Sequence, residues 1–258
     1  MPDVLFEREG PIAWIRLNRP ERLNAYGMQL KAELADAWAE FNADADLRVA
    51  ILTGSGRAFC AGRDIKEQTE LLGDDVDAYT SRFLGANRLA VTVLTPGEKP
   101  LISAVNGFAL GLGMFLMCAG DIRIAADTAE VGVPELPTGV LGPWYLTLSE
   151  LLPRAVSAEL ILMGDRISAQ RAYEIGLINK VVPASELEDT ARAYASRLAA
   201  FPQAHLQATL RLMRKAHVHP PESLLLEMDE TIRGLYARTD TADMAADFLA
   251  KQRATAQD

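Results

Sequence analysis

Two hydrophobic rhythms divide the chain. In Val4 to Arg8 and Ile12 to Leu17, apolar, β-branched and aromatic side chains fall at alternate positions on either side of Gly10-Pro11, which predicts two strands joined by a tight turn. Leu30, Leu34, Ala37, Trp38 and Phe41 then recur at intervals of three and four, so an amphipathic helix is expected from Gly27 to Ala45. Val49 to Thr53 is a nearly unbroken apolar run closed by Gly54-Ser55-Gly56, as in a strand covered on both faces. The order repeats with a helical pattern from about Asp75 to Leu94, a break at Pro96-Gly97, an apolar run Leu101 to Val105, a glycine-rich turn and another helical segment. This alternation predicts an α/β protein whose sheets are covered by helices. Past Pro183 the chain becomes charged and helical, with Leu206, Leu210 and Met213 on one face and a last helix from about Thr241 to Arg253. That block is expected to pack as a subdomain or against another subunit.

Composition narrows the class. With 258 residues, 49% hydrophobic, the chain is long and apolar enough for one large core. Its net charge of -9 disfavours nucleic acid as a partner. Cys60 and Cys118 lie in apolar surroundings and make no disulfide framework, and Met1-Pro2-Asp3 leads into a mixed strand, so a cytoplasmic protein without a secretory leader is expected. The segment Leu101 to Gly120 carries no charge for twenty residues, a length that raises a membrane helix. Asn106 and four glycines interrupt it, so a buried strand, turn and helix are expected instead. Residues 101 to 149 hold five charged side chains, which marks them as the buried centre.

Within that centre Glu135 stands alone, the sole charged residue between Glu130 and Glu150, with Pro134 and Pro137 flanking it closely. If buried, its carboxyl is expected to rise in pKa by desolvation and so to suit proton transfer near neutral pH; a structural glutamate satisfied by a local donor is the alternative. Two glycine turns, Cys60-Ala61-Gly62 and Gly107 to Gly113, each follow an apolar strand and open a helix. Amides at helix starts bind anions, and two converging on one oxygen form an oxyanion hole, although either turn alone equally suits tight packing. The second turn also looks like the phosphate turn of short-chain dehydrogenases, but no tyrosine here has a lysine four positions later. No Cys-x-x-Cys, His-Glu-x-x-His or Gly-x-Ser-x-Gly occurs, and His217 and His219 are expected at the surface, so neither a metal nor a serine hydrolase is predicted. Met114, Phe115, Met117, Trp144 and Tyr145 are either core or the wall of an apolar acyl pocket.

Five ordered segments give these residues a common meaning: Asn18 to Ala25, Ala58 to Ile65, Lys99 to Gly107, Pro134-Glu135 and Gly164 to Ala169. Together they resemble the crotonase superfamily, the enoyl-CoA hydratases and isomerases, along essentially the whole chain. The resemblance implies a crotonase (ClpP-like) spiral of β-β-α units over residues 1–195, and a C-terminal helical region over 196–258 that builds homotrimers or hexamers. It implies an acyl-CoA thioester as substrate, with coenzyme A entering as part of it and no separate cofactor. The thioester oxygen is expected at the amides of Ala61 and Leu112, with Glu135 as the acid. The acyl-CoA is expected along Arg22, Leu23, Gly62, Asp64, Ile65, Gly111, Phe115 and Trp144, with Phe248 and Lys251 reaching coenzyme A across a subunit contact. Family hydratases commonly carry a second glutamate, and Phe115 stands at its position. A single carboxyl suffices to move a double bond by taking a proton at C2 and returning it at C4. The favoured activity is therefore enoyl-CoA isomerisation. The alternatives are a hydratase that recruits another acid, Asp64 or Glu67, and a non-catalytic acyl-CoA-binding homologue.

Overall fold

A computed structural model describes residues 1–72, 94, 97–138, 145–216 and 230. The strands are β1 (Val4–Glu9), β2 (Ile12–Leu17), β3 (Val49–Gly54), β4 (Ala58–Cys60), β5 (Leu101–Val105), β6 (Phe108–Leu110), β7 (Ile122–Ala126), β8 (Glu130–Gly132), β9 (Arg166–Ser168) and β10 (Lys180–Val182). The helices are α1 (Met28–Ala43), α2 (Ile65–Leu72), α3 (Leu112–Cys118), α4 (Tyr145–Leu151), α5 (Arg154–Met163), α6 (Ala169–Glu174), α7 (Leu187–Ala199) and α8 (Gln203–Ala216). The expected helices near residues 75–94 and 241–253, and His217 and His219, lie outside the described residues.

The strands form two sheets. One has the order β1-β2-β3-β5-β7-β10 and is parallel apart from the β1/β2 hairpin; the other has the order β4-β6-β8-β9, parallel through β8. From β3 to β8, successive strands do not pair with each other. β3 joins the large sheet and β4 the small one, then β5 and β6 do the same, then β7 and β8. Each turn of chain thus adds one strand to each sheet, and stacking of turns makes the expected spiral of β-β-α units.

All six residues of β3 and all five of β5 are buried, which explains why both read as continuous apolar runs rather than alternating ones. The uncharged segment 101–120 resolves into β5, β6 and α3. Among the described residues no helix is long and apolar enough to cross a membrane. α1 starts and ends within two residues of its expected bounds and buries Leu30, Leu34, Ala37, Trp38 and Phe41, the stripe that predicted it. α7 lies over β3, β5 and β7 with Ala191 and Ala195 fully buried, small side chains that let helix and sheet approach closely.

Lys99 fastens α1 to the large sheet. Its side chain is buried, and Nζ donates to the carbonyl oxygens of Phe41, at 2.8 Å, and Asp44, where the helix leaves its last carbonyls without internal donors. Lys99→Met keeps the stem and strands both acceptors. It is expected to cost about 2 kcal/mol of stability, read from urea unfolding.

Candidate active site

Three segments meet because β4, β6 and β8 are adjacent parallel strands of the small sheet. Their C-terminal ends lie side by side. From them emerge Ala61 to Asp64, then Gly111 and Leu112, then Pro134 and Glu135. The Gly111 amide donates to the Gly132 carbonyl at 2.9 Å, continuing the ladder to the edge of the site.

Glycine is required at this meeting point. Gly62 and Gly111 have φ of +98° and +54°, a region that side chains disfavour. A Cβ on Gly62 would stand 2.8 Å from the Leu110 carbonyl oxygen and 3.7 Å from the Leu112 nitrogen, so the two turns are in contact. A Cβ on Gly111 would stand 2.5 Å from Glu135 Oε1. The Glu135 carboxyl therefore lies against the second turn, 5% exposed, at a tight turn leading into a short 3-10 helix, Leu136–Thr138. Leu112 is the first residue of α3, where amides have no acceptor in the preceding turn.

The first turn corrects one expectation. The Ala61 amide, expected to hold the thioester oxygen, donates instead to the Leu23 carbonyl at 3.0 Å. It is the joint between the end of β4 and the loop before α1. Two residues on, Tyr26 pairs with Arg63 as in a parallel bridge, its amide donating to Gly62 O at 2.7 Å and its carbonyl accepting from Asp64 N at 3.1 Å. In such a bridge the middle residue faces the other way, so the Arg63 amide is turned away from Tyr26. Arg63 thereby replaces Ala61 as the candidate donor from the first turn.

The loop carrying Arg22 and Leu23 is fixed to this point by a residue the sequence reading did not single out. Asn24 is fully buried; its Oδ1 accepts from Arg19 N at 2.7 Å, and its Nδ2 donates to Ser55 O at 3.0 Å and Ala58 O at 2.8 Å. Leu23 and Asn24 both have left-handed backbones, φ +52° and +54°, a conformation in which asparagine is enriched. The available signal was that asparagine, next to Leu23 and inside a motif already noticed.

The recruited acids have other tasks. Asp64 begins α2: Oδ1 accepts from Glu67 N at 3.0 Å, while Oδ2 accepts from Arg19 at 3.2 Å, with Arg22 3.9 Å away. Glu67 turns to α1, accepting from Met28 N at 3.1 and 3.0 Å with its two oxygens, where the helix dipole favours a carboxylate. Both carboxylates thus have structural partners, at the start of α2 and of α1. Phe115 lies one turn into α3 and, with Gly111, Met114, Cys118, Val133, Thr147 and Leu148, lines a cleft between α3 and α4. Burial pushes the thiols of Cys60 and Cys118 up to about 12 and about 11, so neither is a ready nucleophile. Ile65, the first residue of α2, is half-buried beside these turns. Trp144, Phe248 and Lys251 lie outside the described residues.

Comparison with known proteins agrees with this architecture. The enoyl-CoA hydratase/isomerase family description matches residues 7–254. The chain is 34% identical over 218 residues to (E)-benzylidenesuccinyl-CoA hydratase from Thauera aromatica, covering 80% of each chain. It is 35% identical over 253 residues to a probable enoyl-CoA hydratase from Mycobacterium bovis, covering 96% of this chain and 95% of the other. The crystal structure of carnitinyl-CoA hydratase from Mycobacterium avium superposes with a TM-score of 0.84 at 30% identity, covering 97% of both chains. A match over nearly the full length, on a fold that brings the family's motifs to one sheet edge, places this chain in the enoyl-CoA hydratase/isomerase family of the crotonase superfamily.

Proposed function

We propose that this enzyme isomerises an enoyl-CoA, moving a double bond between C3 and C2 with Glu135 as the single proton shuttle. The supporting observation is that Glu135 packs on Gly111 while the neighbouring cleft presents Phe115, and that Asp64 and Glu67 are committed elsewhere. The Glu135 carboxylate removes a C2 proton from a 3-enoyl thioester, and the electron pair moves into the conjugated enolate. The amides of Leu112 and Arg63 donate to the thioester oxygen as charge develops there, each donor worth about 3 kcal/mol at the transition state. The protonated carboxyl returns its proton at C4, and the double bond ends between C2 and C3. Phe115 contributes by keeping water from the enolate. Arg22 and Leu23, tied to the site through Leu23 O and Ala61 N, hold the coenzyme A portion. Assembly into trimers or pairs of trimers belongs to the same reading.

A second reading, hydration of a 2-enoyl-CoA by Glu135 alone, is favoured by the names of the relatives. Assaying purified protein on 3-enoyl-CoA and 2-enoyl-CoA side by side separates the two. Faster isomerisation than hydration is expected, and the reverse ranking would overturn the proposal. Phe115→Glu places a carboxyl in the cleft and is expected to raise hydration at least about tenfold while slowing isomerisation.

A further inference from the structure

One guanidinium crosses the joint between the first turn and the loop before α1. Arg19, whose side chain is 17% exposed, donates from Nη1 to the Ala25 carbonyl at 3.0 Å and from Nη2 to Asp64 Oδ2 at 3.2 Å. Its Nε stands 3.3 Å from Asp3 Oδ2, just before β1. The main chain of Arg19 joins the same knot: its amide donates to Asn24 Oδ1 at 2.7 Å, and its carbonyl accepts from Arg22 N and Asn24 N, both at 2.9 Å.

The groups reached by Nη1 and Nη2 flank the Tyr26–Arg63 bridge. Ala25 precedes Tyr26 on one side of it, and Asp64 follows Arg63 on the other. The Asp64 side chain is 4% exposed and also accepts from Glu67 N, while Glu67 accepts from Met28 N, so the clamp is anchored to the first turns of α2 and α1. A guanidinium presents its donors in a rigid plane and can serve both flanks at once; an ammonium is a single point of charge. There is little slack, since a Cβ on Gly27 would stand 3.1 Å from Arg19 Nη1. A bridge held on both flanks cannot tilt without breaking a charge-assisted hydrogen bond.

We propose that Arg19 and Asp64 are a positioning pair that sets the direction of the Arg63 amide through the Tyr26–Arg63 bridge they flank. Neither side chain touches the reacting atoms. The inference rests on the reading of the Arg63 amide as a donor to the thioester oxygen, so loss of the pair is felt at that oxygen.

The test reads the thioester carbonyl directly. 2-Butenoyl-CoA carrying carbon-13 at C1 is bound at saturation to the full chain with Glu135→Gln, which stops turnover, and isotope-edited infrared spectroscopy measures how far its C=O stretch falls below the value in water. Arg19→Met and Asp64→Asn, each added singly, are expected to remove about half of that fall, as when one of two donors is lost. With Glu135 restored, each is expected to lower kcat for any enoyl-CoA about 10²-fold, the cost of a displacement near 1 Å. The double variant should be no worse than Arg19→Met, because the two side chains act as a unit. Saturation removes any effect on affinity, and circular dichroism below the unfolding transition separates loss of fold from loss of direction. Arg19→Lys, which keeps the charge but serves one flank, is expected to lose a smaller part of the fall; it and Asp64→Asn carry the test if Arg19→Met does not fold. A fall unchanged in folded Asp64→Asn and in the folded Arg19 variants would overturn the inference and leave the donor reading intact. No fall in the Glu135→Gln protein itself would overturn the donor reading, and the inference with it.

Discussion

Glu135→Gln is expected to lower kcat for any enoyl-CoA by about 10³-fold, within the range a positioned proton-transfer group supplies. The amide fills the same space against Gly111, so the turn should be undisturbed. Affinity for a saturated acyl-CoA should stay within about twofold, because binding area and main-chain donors are unchanged. The distinction matters, since a non-catalytic acyl-CoA-binding homologue would have no turnover to lose. Stopped-time assays of kcat with parallel calorimetry check both halves. A variant retaining a tenth of wild-type turnover would show that the proton passes through another group, and the assignment would fail.

Gly113→Ala is the second large effect, and it acts through the backbone. A Cβ at this position would stand 1.9 Å from the Cys60 carbonyl oxygen and 2.9 Å from Cys60 Cβ. β4 is held in the small sheet by β6, so the strand cannot yield easily and α3 must move. Moving α3 takes the Leu112 amide and the Gly111 seat of Glu135 with it. A displacement near 1 Å at a reacting centre costs on the order of 10²-fold, and overpacking of this kind costs about 3 kcal/mol in stability. The expected result is a loss of at least about 10²-fold in kcat/KM together with a lower midpoint in urea. Wild-type activity in a fully stable variant would mean that α3 and β4 are not coupled as described.

Much of this molecule was legible from local pattern. The stripe on α1 and the apolar runs of β3 and β5 depend on neighbours within a few positions, which is the range over which hydrophobic period reports burial; the alternation in β1 and β2 located those strands but not their burial, since one residue of β1 and five of β2 are buried. Glu135 was legible for a related reason: one charge in a long apolar stretch must be accommodated inside, and it is buried. Asp64 and Glu67 show the opposite case. Their spacing matches a helix cap as well as a catalytic acid, and only their partners, Glu67 N, Arg19 and Met28 N, separate the two roles.

The choice of amide was equally out of reach. Ala61, Gly62 and Arg63 are consecutive, and which of them is the candidate donor depends on whether Leu23 or Tyr26 bonds to it from a loop about forty residues earlier. The amino-acid order by itself determined β1, β2, β3, β5 and α1, the family and the solitary acid, because those follow from side-chain chemistry and short-range period. Only the tertiary structure decided that three strand ends meet at one edge and which main-chain groups of the first turn bond to the loop before α1. Stacking one spiral turn on the next sets those distances, and no local pattern encodes contacts between turns.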